Sequence, residues 1–165
     1  METKKEHATV LAVTVDKHGI GYAIFADPDT PVDWGTKQPR FNRRALTERS
    51  VEALISFYSP DVLVLQQVAE NKSRKRANEL IAALASIANL KGIAVVQYHW
   101  EEVQDTFEIL RAGRSQFAIA KKIVEWRPEL KARQPKYRKP WDTKAYAMGM
   151  FEAFALAITY YHKNT

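Results

Sequence analysis

The sequence contains no cysteine. That excludes disulfides, thiolate nucleophiles and cysteine-held metals, and it suits a reducing compartment such as the cytoplasm. Four histidines are present, His7, His18, His99 and His162, and no two are spaced to share one helical face, so a zinc centre is not expected. Long hydrophobic runs are also missing. The most apolar stretch, "AYAMGMFEAFALAITYY" from Ala145 to Tyr161, is interrupted by Glu152 and is shorter than the roughly 20 residues of a membrane span. It reads as a buried helix, and no membrane partner is expected. The opening "METKKEHATV" carries charge where a signal peptide would be apolar, so nothing directs export. Repeats and low-complexity tracts are lacking.

What is present suits one domain over 1–165, because 46% of the 165 residues are hydrophobic, enough for a single sizeable core. Three short β-branched or aromatic runs, 8–16, 19–27 and 31–35, are separated by "KHG" and "PDTP". They predict a meander of three antiparallel strands. Leu46, Val51, Leu54, Ile55 and Tyr58 recur with helical spacing before Pro60. "DVLVLQQVAEN" from Asp61 to Asn71 then reads as a buried strand that ends in two amides, Gln66 and Gln67.

Ser73 is the expected cap of a helix running to Asn89, and "GIAVVQYH" (92–99) is the next buried strand. Helices are expected over 101–110, 115–126 and, capped by Asp142, the apolar stretch above; "RPELKARQPKYRKP" between them reads as a proline-interrupted basic loop. The fold class is therefore α/β, a mixed five-stranded sheet flanked by helices on both faces. Right-handed β-α-β connection places the fourth strand parallel to the first and beside it.

Three segments carry a resemblance. "LAVTVDKHGIGYAIF" is similar to the first motif of RuvC-type Holliday-junction resolvases and their RNase H-like relatives, an aspartate on the first strand ahead of a Gly-Tyr or Gly-Phe pair. "LVLQQV" resembles the second motif, an apolar strand followed by Glu-Gln. "FEAFALAIT" resembles the last, an acidic residue opening an Ala-Leu-Ala helix. The order of elements matches over nearly the whole chain, and the resemblance implies an RNase H-like (RuvC-like) fold, a nucleic-acid partner and a dimer.

The resemblance also implies about four carboxylates holding two Mg²⁺ ions roughly 4 Å apart for phosphodiester hydrolysis. Here the first acid's place falls on Thr14, the second on Gln66 and the third on Gly149; only Glu152 is acidic. The leading reading is thus a RuvC-like nucleic-acid-binding protein without a bound cofactor or metal site, a pseudo-nuclease. A second is an endonuclease using Mg or Mn, in which Asp16 and Glu70 join Glu152 in a relocated cluster. A third is a scaffold whose last helix and tryptophans serve dimerisation or a protein partner.

Glu152 is either turned to a polar crevice or exposed on a thin stripe. Ala145, Gly149, Ala153 and Ala157 recur every four residues, a ridge that lets the last helix lie close to the sheet. Gly19 and Gly21 serve the backbone, and Trp34 and Trp141 are expected to pack.

Net charge is +6, which favours polyanions. Ten Lys and Arg lie between Arg111 and Pro140 against Glu125 and Glu129. Of these, Arg114, Lys121, Lys122, Arg133, Lys136, Arg138 and Lys139 are expected at phosphates, together with Lys72, Arg74, Lys75 and Arg76 just after the fourth strand.

Overall fold

The structure, a computed structural model, describes residues 7–16, 19–39, 43–68, 71–134 and 148–165. Strands β1 (Val10–Asp16), β2 (Gly19–Asp27), β3 (Thr30–Lys37), β4 (Val62–Gln67) and β5 (Ala94–His99) form one sheet in the order β3-β2-β1-β4-β5. The first three are antiparallel in sequence, while β1, β4 and β5 run parallel. The expected α/β architecture is therefore present, with β4 beside β1.

Alternation along β1 divides the core in two. Leu11 and Val13 meet Val51, Leu54 and Ile55 of α1 (Arg43–Tyr58) and Ile81, Leu84 and Ala88 of α2 (Lys75–Leu90). Val10 and Ala12 face the other way, toward α3 (Trp100–Ile109), α4 (Gln116–Trp126) and α5 (Met148–Lys163). Twelve of the sixteen residues of α5 are buried, which is why its sequence is apolar almost all round. Among the described residues no helix is long and apolar enough to cross a membrane.

Three local expectations need correction. Leu46 is 38% exposed while Thr47 is buried: Val51, Leu54 and Ile55 face inward as expected, and the first inward position of α1 is Thr47 in place of Leu46. The entry to α2 is held by Asn71, whose side chain accepts the Arg74 N–H at 3.0 Å, and a 3-10 turn over Lys72–Arg74 comes before the helix. Ser73 therefore lies inside that turn and is not the helix cap. The first part of the expected basic loop is also ordered, as a 3-10 turn over Pro128–Arg133 that buries Leu130. Asp142, Ala145 and Trp141 fall outside the described residues.

Trp34 packs as expected, its ring 5.9 Å from that of Phe154. Tyr161 ties the end of α5 to the strands: its hydroxyl donates to the carbonyls of Ala8 at 2.6 Å and Phe25 at 3.3 Å. On the α1 side, Asp33 accepts from the hydroxyls of Tyr58 at 2.8 Å and Tyr22 at 3.4 Å. Burial raises the phenol pKa of Tyr22 and Tyr161, and the bond to Asp33 raises that of Tyr58.

A raised folded-state phenol pKa contributes stability that is present below the ordinary value of about 10 and is lost as pH climbs through the folded value. Phenolate absorbance should therefore appear in two groups, the later one together with loss of helical circular dichroism. Ionisation of all seven tyrosines in a single step near pH ~10 with the fold intact would contradict this assignment.

Candidate functional site

The parallel ladder between β1 and β4 ends at Val13 with Leu65. One residue further on, Thr14 and Gln66 leave the core side by side. Thr14 pairs with Gly21 across β1–β2, and Gln66 pairs with Tyr98 across β4–β5. By alternation this row of residues faces α5.

There the helix comes very close. A Cβ on Gly21 would run into the Gly149 carbonyl group, so only glycine fits on β2 at this level. The Thr14 hydroxyl, 3% exposed, donates to the Gly149 carbonyl at 2.8 Å. Two positions expected to hold catalytic acids thus meet as a hydroxyl and a backbone carbonyl. Gly149 itself has room: a Cβ there would stand 3.5 Å from Asp16 Oδ2 and 3.6 Å from the Gly21 Cα.

Asp16 lies on the same face two residues after Thr14, and its Oδ1 accepts the Gly19 N–H at 3.2 Å. Gly19, at φ +144°, is strained for any side chain, and a Cβ there would also strike the Lys37 carbonyl. Glu152 follows Gly149 by one helical turn and is only 5% exposed, so the exposed-stripe alternative is corrected. A buried carboxylate is held only where polar or charged groups meet it. Gln66 is partly buried and Gln67 exposed; Glu70 lies outside the described residues.

Asp16 and Glu152 are the acids the described structure gathers on this face, and among the described residues no group of three or more His, Asp or Glu side chains could hold a metal. The Thr14 hydroxyl is committed to a helix carbonyl, and neutral oxygens add no charge to offset two divalent ions. Among the described residues the donors supply fewer charges than the ion pair that the resemblance implies.

The basic residues separate into groups. Lys72, Arg74, Lys75 and Arg76 are exposed at the exit of β4. The Arg44 guanidinium, 4.0 Å from Glu79, ties the start of α1 to the start of α2. Arg133 reaches the opposite side of the site, its Nη1 3.7 Å from Met150 Sδ. Arg114, by contrast, is bound to Asp105 at 2.8 Å and Glu108 at 2.6 Å, which raise its pKa, and Lys122 sits 3.5 Å from Glu125. Lys121 is exposed on α4. Arg127 donates to the Asp29 carbonyl, beside an apolar cleft of about 530 Å³ between the β2–β3 turn, α4 and the end of α5. Lys136, Arg138 and Lys139 fall outside the described residues. His7 meets Tyr161 edge-on, and His99 caps α3, where its N–H donates to Glu102 at 2.8 Å; His18 falls outside the described residues.

The sequence matches no protein-family model and no curated protein. Solved structures nevertheless share its fold. Thermus thermophilus RuvC in complex with a Holliday junction substrate aligns with a TM-score of 0.64 at 13% identity, over 96% of each chain. The yeast mitochondrial Holliday junction resolvase Ydc2 aligns at 0.67 and 10%, over 97% of this chain and 80% of its own. The fowlpox virus resolvase bound to Holliday junction DNA aligns at 0.54 and 18%, over 94% and 98%. The chain has the RuvC-like, RNase H-like fold.

The contact between α5 and the sheet generates an asymmetric expectation. Gly21→Ala forces the helix off the sheet and should cost about 3 kcal/mol, the upper range of overpacking. Gly149→Ala, with ordinary contact distances and a helical setting, should be neutral or stabilising by about 0.5–1 kcal/mol. Thr14→Val should cost about 1 kcal/mol through the lost hydrogen bond. Urea melts of the three variants check this; equal effects of the two glycine changes would show that the contact is not as tight as described.

Proposed function

We propose that this chain binds structured nucleic acid, DNA or RNA, through the basic rim at the C-terminal edge of its parallel strands, and that it does not perform the metal-dependent cleavage of resolvases. The observation that carries this reading is the Thr14–Gly149 hydrogen bond. The Thr14 hydroxyl is engaged by the helix backbone and Gly149 has no side chain, so neither supplies the negative charge that the resemblance implies at these positions for a two-ion reaction. The rim supplies positioning contacts in place of chemistry: exposed cations beside β4 and α5 neutralise phosphates without reading bases. Two neighbours of this fold were solved with Holliday junctions, which makes a branched duplex the first probe to use.

A rival reading is favoured by one fact, that Asp16 and Glu152 face the same side of the sheet as Thr14. An endonuclease built on them with Glu70 would need Mg²⁺ or Mn²⁺ and would cut the phosphodiester. The two readings separate in one experiment with a labelled four-way junction. The purified chain should retard the junction and leave it intact in 10 mM-scale Mg²⁺ or Mn²⁺. Cleavage that disappears in Asp16→Asn or Glu152→Gln would establish the rival.

Binding should weaken linearly in log K against log salt, by about 0.9 in slope for each phosphate neutralised on duplex DNA. Reversing Lys72, Arg74 and Lys75 to glutamate should lower affinity and flatten that slope. An unchanged slope in this variant would remove the β4 rim from the interface.

A further inference from the structure

A second basic concavity lies on the far side of β2 from the β4 rim. The inward stripe of α1 leaves the adjoining face, Leu46, Arg49 and Ser50 at i, i+3 and i+4, turned toward the end of β3. Together with Thr36, Lys37 and Gln38 these residues line an open groove of about 540 Å³. Among the described residues no carboxylate lines it. Glu48 on the same helix is turned to Arg44, 3.3 Å away.

Lys37 and Arg49 are exposed, and neither has an ion-pair partner among the described residues. In that they differ from Arg44, Arg114 and Lys122, whose charges are met locally. Lys37 is also steered, because its ammonium stands 5.7 Å over the Tyr22 ring, whose hydroxyl bonds to Asp33. The groove opens on the α1 face of the sheet, opposite the α5 face that carries the Thr14 row, and shares only the sheet edge with it. Lys37 pairs with Ile20 in the sheet, and the neighbouring Gly19 N–H donates to Asp16.

The groove and the β4 rim therefore lie along one edge of the sheet, at β3 and at the exit of β4, with β1 and β2 between them. β3 and β4 are three strand spacings apart in the sheet order, about 14 Å at the usual separation. We infer that this groove is a second phosphate-backbone subsite, gripping a strand or arm of nucleic acid that leaves the site across β2 and β3. The inference rests on the nucleic-acid reading above. Polyanionic backbone suits the lining because two unneutralised cations, an amide and a hydroxyl donor are offered over a small apolar floor, with no acceptor charge to repel phosphate. Sequence readout is not expected from this set.

The test compares three charge-matched double variants of the full chain by fluorescence anisotropy, on a four-way junction and on a short duplex. Lys37→Glu with Arg49→Glu addresses the groove, Lys72→Glu with Arg74→Glu the β4 rim, and Lys91→Glu with Lys163→Glu serves as a distant control, with thermal melts confirming that each folds. The groove variant should lose affinity for the junction well beyond the control. Its salt slope should fall by about 0.9 for each cation removed, and its loss should be smaller on a duplex too short to reach both flanks. A rim variant that weakens while the groove variant matches the control would overturn the groove and leave the nucleic-acid reading standing. If wild type binds neither probe at low salt, or all three variants weaken alike, the nucleic-acid reading fails and the groove with it. Loss of poly-glutamate binding with junction binding unchanged would reassign the groove to an acidic peptide and overturn the inference as well.

Discussion

The first described turn of α5 lies directly against β2, and much of the molecule is arranged around that contact. With no side chain at Gly21, the backbone of Gly149 can settle against the strand, and the height of the whole helix above the sheet is fixed there. Phe151, Phe154 and Leu156 then reach the strands and the helices α3 and α4 that close over them. At the far end Tyr161 fastens the same helix to the carbonyls of Ala8 and Phe25. A helix pinned at both ends and buried along most of its length cannot lift at one end without opening the largest apolar cluster. Interiors are packed densely enough that such a shift is costly.

That constraint bears on the chemistry. In a two-ion site the cations hold mutually repelling carboxylates together, and strand and helix need to stand apart enough to admit them. Here no repulsion has to be offset at Thr14 and Gly149, because a hydroxyl donates directly to a carbonyl. The cohesion of helix and sheet is intrinsic to the chain. Asp16 has a structural duty of its own, accepting the backbone N–H of Gly19 at the β1–β2 turn. Glu152 stays buried one helical turn beyond Gly149.

Much of this was legible in the sequence, for physical reasons that can be named. Strand alternation and turn residues marked the meander, and the amide-ended strand "LVLQQ" marked the edge where Gln66 emerges. The four-residue recurrence of small side chains pointed to a close-lying helix, and Gly149 meeting Gly21 is that contact. What stayed hidden was whatever depends on rotation or on distant partners. A threonine takes the first inward position on α1, which an apolar-only pattern passes over in favour of the neighbouring Leu46. Glu152 looked equally suited to water because burial of a charge is decided by tertiary neighbours. The basic run after Arg111 looked continuous, yet helix geometry sends Arg114 to two acids on α3 and Arg127 to the β2–β3 turn, leaving Arg133 near the site.

Lys37 and Arg49 gave no signal at all, since each is an isolated cation in sequence and they converge only when β3 and α1 are placed side by side. This shows why net charge is a poor guide to where a polyanion would lie. Cations paired with carboxylates within 4 Å have most of their field cancelled locally, and screening at physiological salt removes what remains beyond about 8 Å. The field that survives comes from cations without acidic neighbours, and those named here stand on two flanks of one sheet edge. A ligand that responds to that pattern must carry negative charge at intervals along its length, which a phosphate backbone does and a single small anion does not.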